Sequence, residues 1–331
     1  MKILLAIPGH LETVPMGRFS AAALRELGHE VVVFDYAPGT LDKLRGRLLE
    51  PSGEARASVN RRLRREIEGA RPDLFVTLFG FDVSPESLEF MRSRKLASVC
   101  WWINDPFQFT RCLEKARCYD FVFSNSSVSP LAYRRAGVRN AHFLPTACAP
   151  AVHRTVPPSE AYRCEVCFAG DWSPLRERVM EGLAARFEVR VFGPWSKKLK
   201  PGSALRAKLV NGFFSPEEMA AMFASAQVVL NVHTWFGEFD HGINPRLFEA
   251  AGCGSFQLVD WKQEIPQLFD VPAEMACYRD LGEIPEHVAG ALANPALSRE
   301  TGAAAQRRAY RDHTYRARMA TLLETVGRSG A

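Results

Sequence analysis

The chain has 331 residues, more than a single α/β core ordinarily holds, so two domains are expected. Hydrophobic residues make up 47% and charged residues 24%, the balance of a folded globular protein rather than a disordered or fibrous one. A net charge of +5 suits a phosphate-bearing ligand or an anionic membrane surface but is too small to argue for nucleic acid.

The apolar run at 2–7 reads as a first strand, too short for a signal-peptide core and ended by Pro8-Gly9-His10. A helix at 19–27 stops at Gly28-His29 before a strand at 30–34. Basic helical material follows at 41–70, where Arg61-Arg62-Leu63-Arg64-Arg65 runs straight into Glu66 and Glu68, the pattern of a solvated helix face. Strands at 73–78, 97–103, 121–124 and 141–144 and a helix at 85–94 complete the first half. Short apolar strands between helices predict a parallel sheet covered on both faces. Residues 145–159 carry four prolines and little periodicity, the composition of an interdomain linker. A second alternating series then begins, with strands at 164–169, 189–192, 228–232 and 256–259 and helices at 175–187, 216–224 and 245–251. From 298 to 326 the chain is helical and rich in Arg and Ala. Two such doubly wound units would place a ligand cleft between their strand C-terminal ends.

Eight cysteines are scattered, and only Cys164-Glu165-Val166-Cys167 has metal or redox spacing. With no second pair, two packed thiols in a buried strand are expected, no metal site, and a reducing cytoplasm. No apolar stretch approaches the roughly 20 residues needed to span a bilayer.

The segment His241-Gly242-Ile243-Asn244-Pro245-Arg246-Leu247-Phe248-Glu249-Ala250-Ala251-Gly252-Cys253-Gly254 is the most informative. Asn244 suits an N-cap and Pro245 the first helical position, while Gly252 and Gly254 close a helix of about two turns. A helix start after a glycine-containing loop offers amides and a positive dipole end to a diphosphate. Arg246 opposes that dipole and calls for an anionic partner. Glu249, one turn on, is placed to accept hydrogen bonds from two ribose hydroxyls. The plainer alternative is a well-capped helix with an exposed Arg and Glu.

Asn-Pro-Arg-x-Phe-Glu-Ala-Ala-x-Cys-Gly followed by a strand ending in Asp260 resembles the CgeB-like, spore-maturation-type glycosyltransferases of the GT-B superfamily. Trp101-Trp102-Ile103-Asn104-Asp105-Pro106, Tyr119-Asp120-Phe121-Val122-Phe123-Ser124-Asn125 and His313-Thr314-Tyr315 match the same family pattern. The resemblance implies two Rossmann-like α/β domains facing across a cleft. An acceptor-side domain would span 1–150 and a nucleotide-sugar-binding domain 160–300, with a final helix, 301–331, crossing back to the first. It also implies transfer of a sugar from a UDP- or dTDP-sugar, without a metal or other cofactor, to a small-molecule, glycan, lipid-linked or protein acceptor. The protein would be cytoplasmic, or peripheral at the inner membrane face. Related retaining enzymes carry two glutamates separated by seven intervening residues on the donor-binding helix; Glu249 matches the second, and His241 stands at the first.

By the same likeness, Phe168-Ala169-Gly170-Asp171-Trp172-Ser173-Pro174-Leu175-Arg176 is the loop after the donor domain's first strand. Gly170 would lie beside the donor, and Arg176 would neutralise the departing diphosphate. An ordinary helix-start arginine is the alternative. Ser215 and Glu218 predict a capping box, and Phe213 or Phe214 would stack on the base, at least one of them instead joining the core. Gly242 and Ile243 would approach the donor through the loop before Asn244. In the first domain Gly9 permits close backbone approach and His10 would touch donor or acceptor. Asp105 is the candidate base for an acceptor hydroxyl, against the alternative of an Asp-Pro turn. His233 and His241 are candidates to orient groups. An epimerase sharing the nucleotide site, or a decayed nucleotide-sugar-binding module, are the rival readings. The chain lacks an Asp-x-Asp clamp, a Gly-x-Gly-x-x-Gly after its first strand, a Walker A motif and a Gly-x-Ser-x-Gly elbow.

Overall fold

A computed structural model describes residues 1–8, 15–36 and 52–329. The chain divides into two compact units: Met1–Pro145 with Tyr315–Ala331, and Thr146–Thr314. Both are Rossmann-like.

In the first unit, strands β1 (Lys2–Ile7), β2 (Glu30–Asp35), β3 (Leu74–Leu78), β4 (Ala97–Trp102), β5 (Phe121–Ser124) and β6 (Ala141–Phe143) form one parallel sheet in the order β2-β1-β3-β4-β5-β6. Its helices are α1 (Met16–Glu26), α2 (Ser52–Ala70), α3 (Pro85–Ser93), α4 (Phe109–Ala116) and α5 (Ser129–Arg135). Strands β3 and β5 are buried throughout, as unbroken apolar runs between two helical layers must be. On α2, Arg61 and Arg65 face water while Leu63 and Ile67 enter the core, so the basic run is a solvated face.

In the second unit, β7 (Cys164–Ala169), β8 (Val189–Phe192), β9 (Leu209–Val210), β10 (Ala226–Asn231), β11 (Gln257–Asp260) and β12 (Ala276–Tyr278) form a parallel sheet ordered β12-β11-β10-β7-β8-β9. This is the doubly wound order, reversing between β7 and β10, and the carboxyl ends of those two strands are where such sheets hold ligands. The helices are α6 (Pro174–Ala184), α7 (Pro216–Ala224), α8 (Arg246–Gly252), α9 (Ile265–Leu268), α10 (Ile284–Ala293) and α11 (Pro295–Asp312). Helix α7 begins with the expected box: Glu218 N donates to Ser215 Oγ at 3.2 Å, and Ser215 N donates to Glu218 Oε2 at 2.8 Å. Cys164 and Cys167 are packed thiols, and burial pushes Cys164 up to about 12.

The helical run expected over 298–326 is two helices. Helix α11 packs on α8 inside the second unit, and only α12 (Tyr315–Ser329) joins the first, against α1. The crossing therefore begins at Tyr315, later than the expected 301. The break has a tertiary cause: His313 accepts no continuation of the helix because its ring packs on Phe248 and Phe269, 5.4 and 5.1 Å between centroids, and its Nε2 donates to Leu268 O at 2.7 Å.

Candidate functional site

At the switch point of the second sheet, β7 ends and Gly170 turns the chain toward α6. Gly193, just past β8, lies so close that a Cβ there would sit 2.3 Å from Gly170 O, so the two loops pack backbone to backbone. Ser173 caps α6 by accepting from Arg176 N at 3.2 Å. The Arg176 side chain then crosses the switch point. Its Nε and Nη2 donate to Val232 O, just beyond β10, at 3.1 and 2.6 Å, and its Nη1 donates to Asp171 O at 3.0 Å. Only 9% of Arg176 is exposed, and burial lowers it to about 10. The charges of Asp171 and Asp260 oppose that shift and the Arg246 charge adds to it. These bonds go to neutral carbonyls, so an anion at this point would be strongly favoured.

Helix α8 follows from the other side. Pro245 has helical dihedrals (φ −59°, ψ −31°) and Asn244 Oδ1 accepts from Leu247 N at 3.3 Å, so Asn244 does cap this helix. Arg246 Nη1 donates to Glu249 Oε2 and lies against Met219 Sδ, with its guanidinium 5.2 Å over the Phe223 ring. The Glu249 side chain is 6% exposed and that of Arg246 18%. The two residues singled out from the sequence thus meet each other on one half-buried tip.

The amides ahead of that tip are less available than the sequence suggested. Gly242, at φ +87° where only glycine is comfortable, donates its N–H to buried Glu264 Oε1 at 2.9 Å. Asn244 N donates to His233 Nε2 at 3.0 Å. His233 must then carry its proton on Nδ1, which donates to Asp260 Oδ1 at 2.7 Å. Lys262 Nζ sits 3.0 Å from Asp260 Oδ2 and donates to Phe239 O at 2.7 Å. Burial by itself would raise Asp260, but the hydrogen bonds from His233 and the charge of Lys262 hold it at about 2. His233 thus links Asp260 to the Asn244 amide, and Asp260, Lys262 and Glu264 gave no local signal as a network. Asn231 reinforces the tip by exchanging two side-chain hydrogen bonds with Asn244, at 3.1 and 2.7 Å.

Other expected site residues are placed as follows. Phe213, 70% exposed, stands past the carboxyl end of β9 and before α7, the helix that supplies Met219 to Arg246, while Phe214 packs edge-on to Phe192. His241 is half-buried against Phe239, and burial lowers its basicity. Ile243 is a correction: its side chain is wholly buried among Leu247, Phe248 and Ile265, leaving only its main chain for a ligand. Gly9 and His10 lie outside the described residues, as does the 41–51 part of the basic segment.

Asp105 is also corrected. It is fully buried, with Ser124 Oγ donating to Oδ2 at 2.6 Å and Tyr133 OH donating to Oδ1 at 3.1 Å. With no solvent exposure and both oxygens engaged, the carboxylate stands in this structure as a structural acid. Burial pushes it up to about 6, only partly offset by the Ser124 and Tyr133 hydrogen bonds. The folded value lies above the unfolded one of about 3.9, so the folded chain takes up a proton first as pH falls. Between pH 6 and 4 this should add roughly 2–3 kcal/mol of stability, and urea unfolding of Asp105→Asn should lack that gain.

Among the described residues, no group of three or more His, Cys, Asp or Glu is arranged to hold a metal, and no helix is long and apolar enough to cross a membrane.

Residues 175–324, the stretch that includes Arg176, α8 and the Asp260 network, match a glycosyl transferase-like family model. Spore protein CgeB of Bacillus subtilis (strain 168) is 24% identical over 209 residues, covering 59% of this chain and 66% of that protein. Sucrose-phosphate synthase from Thermosynechococcus elongatus superposes with a TM-score of 0.70 at 12% identity, covering 99% of both chains. Anabaena HepE in complex with UDP-glucose superposes at 0.67 with 15% identity, again over 99% of each. The fold is GT-B.

Proposed function

We propose that this protein, which has the GT-B fold and matches a glycosyl transferase-like family model over 175–324, is a glycosyltransferase using a uridine or thymidine diphosphate sugar. One observation carries the reading: the buried Arg176 guanidinium spans the switch point of the second sheet held by the main-chain oxygens of Val232 and Asp171. A diphosphate there brings Arg176 and Arg246 a shared anion. It also gives buried Arg176 a charged partner in place of carbonyls. Glu249 then exchanges Arg246 for the ribose hydroxyls, and Phe213 is free to cover the base. HepE, on the same fold, is a protein solved with UDP-glucose.

In the transfer step the bond between the sugar's anomeric carbon and the diphosphate oxygen breaks. A bond to the acceptor oxygen forms, and the acceptor's proton is released. Charge grows on the leaving diphosphate, so fixed cations beside it stabilise the transition state more than the ground state. This reading assigns that neutralisation to Arg176 and Arg246.

Thermal unfolding in the presence of UDP, dTDP, ADP, GDP and the corresponding sugars tests the donor. A ligand of the native state adds about 2.7 kcal/mol at a hundredfold excess over Kd, so uridine or thymidine diphosphates should raise the melting temperature and ADP or GDP should not. Silence across the whole panel at millimolar concentration overturns the reading. Conversion of a nucleotide-sugar with no acceptor present would instead identify an epimerase.

A further inference from the structure

The first unit carries a cationic cluster that the donor reading does not use. The sheet of this unit reverses between β1 and β3, so its ligand-holding edge lies at the loops following those strands. The loop after β3 begins with Phe79 and Gly80, at φ +63° and +62°, and sets half-buried Phe81 edge-on against the Trp102 ring. Arg56, near the start of α2, donates from Nη2 to Phe81 O. Arg111, in the first turn of α4, lays its guanidinium 3.6 Å over the Phe81 ring. Lys115, one turn further on α4, has a buried Nζ with no hydrogen-bond partner.

A buried ammonium without a partner is costly, and natural structures rarely keep one that has no ligand. Burial and then the Arg56 charge lower Lys115 to about 8, with Arg111 adding to the effect. Exposed Asp82 is the opposing carboxylate, one negative charge against three positive ones. The imbalance extends to the whole unit. Residues 1–145 and 315–331 contain 24 Lys and Arg against 17 Asp and Glu, while 146–314 contain 18 against 20. The chain's entire positive excess therefore belongs to the unit that does not hold Arg176 and Arg246.

We propose that Arg56, Arg111 and Lys115 bind a phosphoryl group of the acceptor at the carboxyl edge of β3. A phosphomonoester is dianionic and presents three acceptor oxygens, which matches two guanidinium forks and one ammonium better than a carboxylate does. The Phe81 ring supplies an apolar wall beside it. The proposal rests on the transferase reading for the word acceptor, but the anion site stands on this unit's residues alone.

The test is calorimetric titration with inorganic phosphate and with phenyl phosphate, the donor site being filled by saturating UDP. Both should bind saturably to the native protein. Lys115→Met and Arg111→Gln should each weaken them by about ten- to a hundredfold, the loss of one charged hydrogen bond, while UDP affinity stays unchanged. Arg111 is exposed, so its variant reports even if the Lys115 variant folds poorly. Sedimentation with phosphatidylcholine vesicles, with and without phosphatidic acid, separates the sources. Binding that needs phosphatidic acid and is lost in both variants points to a lipid-linked phosphate; binding of phenyl phosphate alone points to a soluble one. Phosphate affinity that is absent, or identical in native and variant proteins, overturns the proposal. Failure of UDP to bind sinks the donor reading instead, and the phosphate titrations, run without it, still decide this one.

Discussion

Replacing Asp260 with Asn is expected to remove about 3–5 kcal/mol of folding stability, the usual cost of breaking a buried ion pair from one side. Asp260 is fully buried, and so are both of its partners: His233 is 0% exposed and the Lys262 side chain 2%. The amide would take from the Lys262 ammonium its carboxylate partner, leaving Phe239 O and the face of the Phe236 ring. It would also take from His233 the charge that fixes its Nδ1 proton. Because His233 Nε2 receives the Asn244 amide, the α8 tip would loosen, and donor affinity should fall with stability. The native protein carries its own control. Asp260 is held at about 2 against an unfolded value of about 3.9, so its contribution is complete above pH 4 and vanishes as pH falls toward 2. Urea unfolding from pH 7 to 2.5 should show the native and Asp260→Asn curves converging at the acid end. A variant within 1 kcal/mol of native at pH 7 would mean that the network is not holding the tip.

Glu249→Ala should weaken UDP and UDP-sugar binding by about thirty- to a hundredfold, the loss of charged hydrogen bonds worth about 2–3 kcal/mol. The informative comparison is with pyrophosphate, which has no ribose. Glu249 lies against Arg246, so its removal takes a competing negative charge away from the guanidinium. Pyrophosphate should bind the variant as well as the native protein, or more tightly. If UDP and pyrophosphate weaken together, Glu249 acts through the shape of the helix rather than through the ribose. A melting temperature measured alongside separates either outcome from unfolding.

What could be read from the sequence follows how locally each feature is determined. Helix α7 was bounded to the residue, because Ser215, Pro216 and Glu218 specify its start without help from elsewhere. Strand β7 was equally plain as an apolar run. Strands β9 and β12, two and three residues long at the two edges of the second sheet, present no periodic pattern at all. Helices α4 and α5 were passed over among loops whose end points only the strands beside them settle. Arg246 and Glu249 stood out because a cation in the first turn of a helix contradicts its dipole. The pairing of Asp260 with His233 did not, since 27 residues part them and only the pairing of β10 with β11 brings them together. Asp105 was misjudged for the same reason: Ser124 and Tyr133, which enclose it, are 19 and 28 residues away.

Helix α12 has a consequence for how the molecule is made. Met319 and Leu322 are wholly buried, Tyr315 lies 5.3 Å from the ring of Phe19 and 6.2 Å from that of Trp101, and Arg318 Nε donates to Pro145 O at 2.9 Å. The unit whose strands leave the ribosome first is thus closed by a segment translated after the whole of the other. Until then Phe19 on α1 and Trp101 on β4 lack their cover from α12, a surface that chaperones would recognise, and the second unit finishes folding before the first. A chain cut after Thr314 should therefore keep a folded 146–314 core while its older half aggregates.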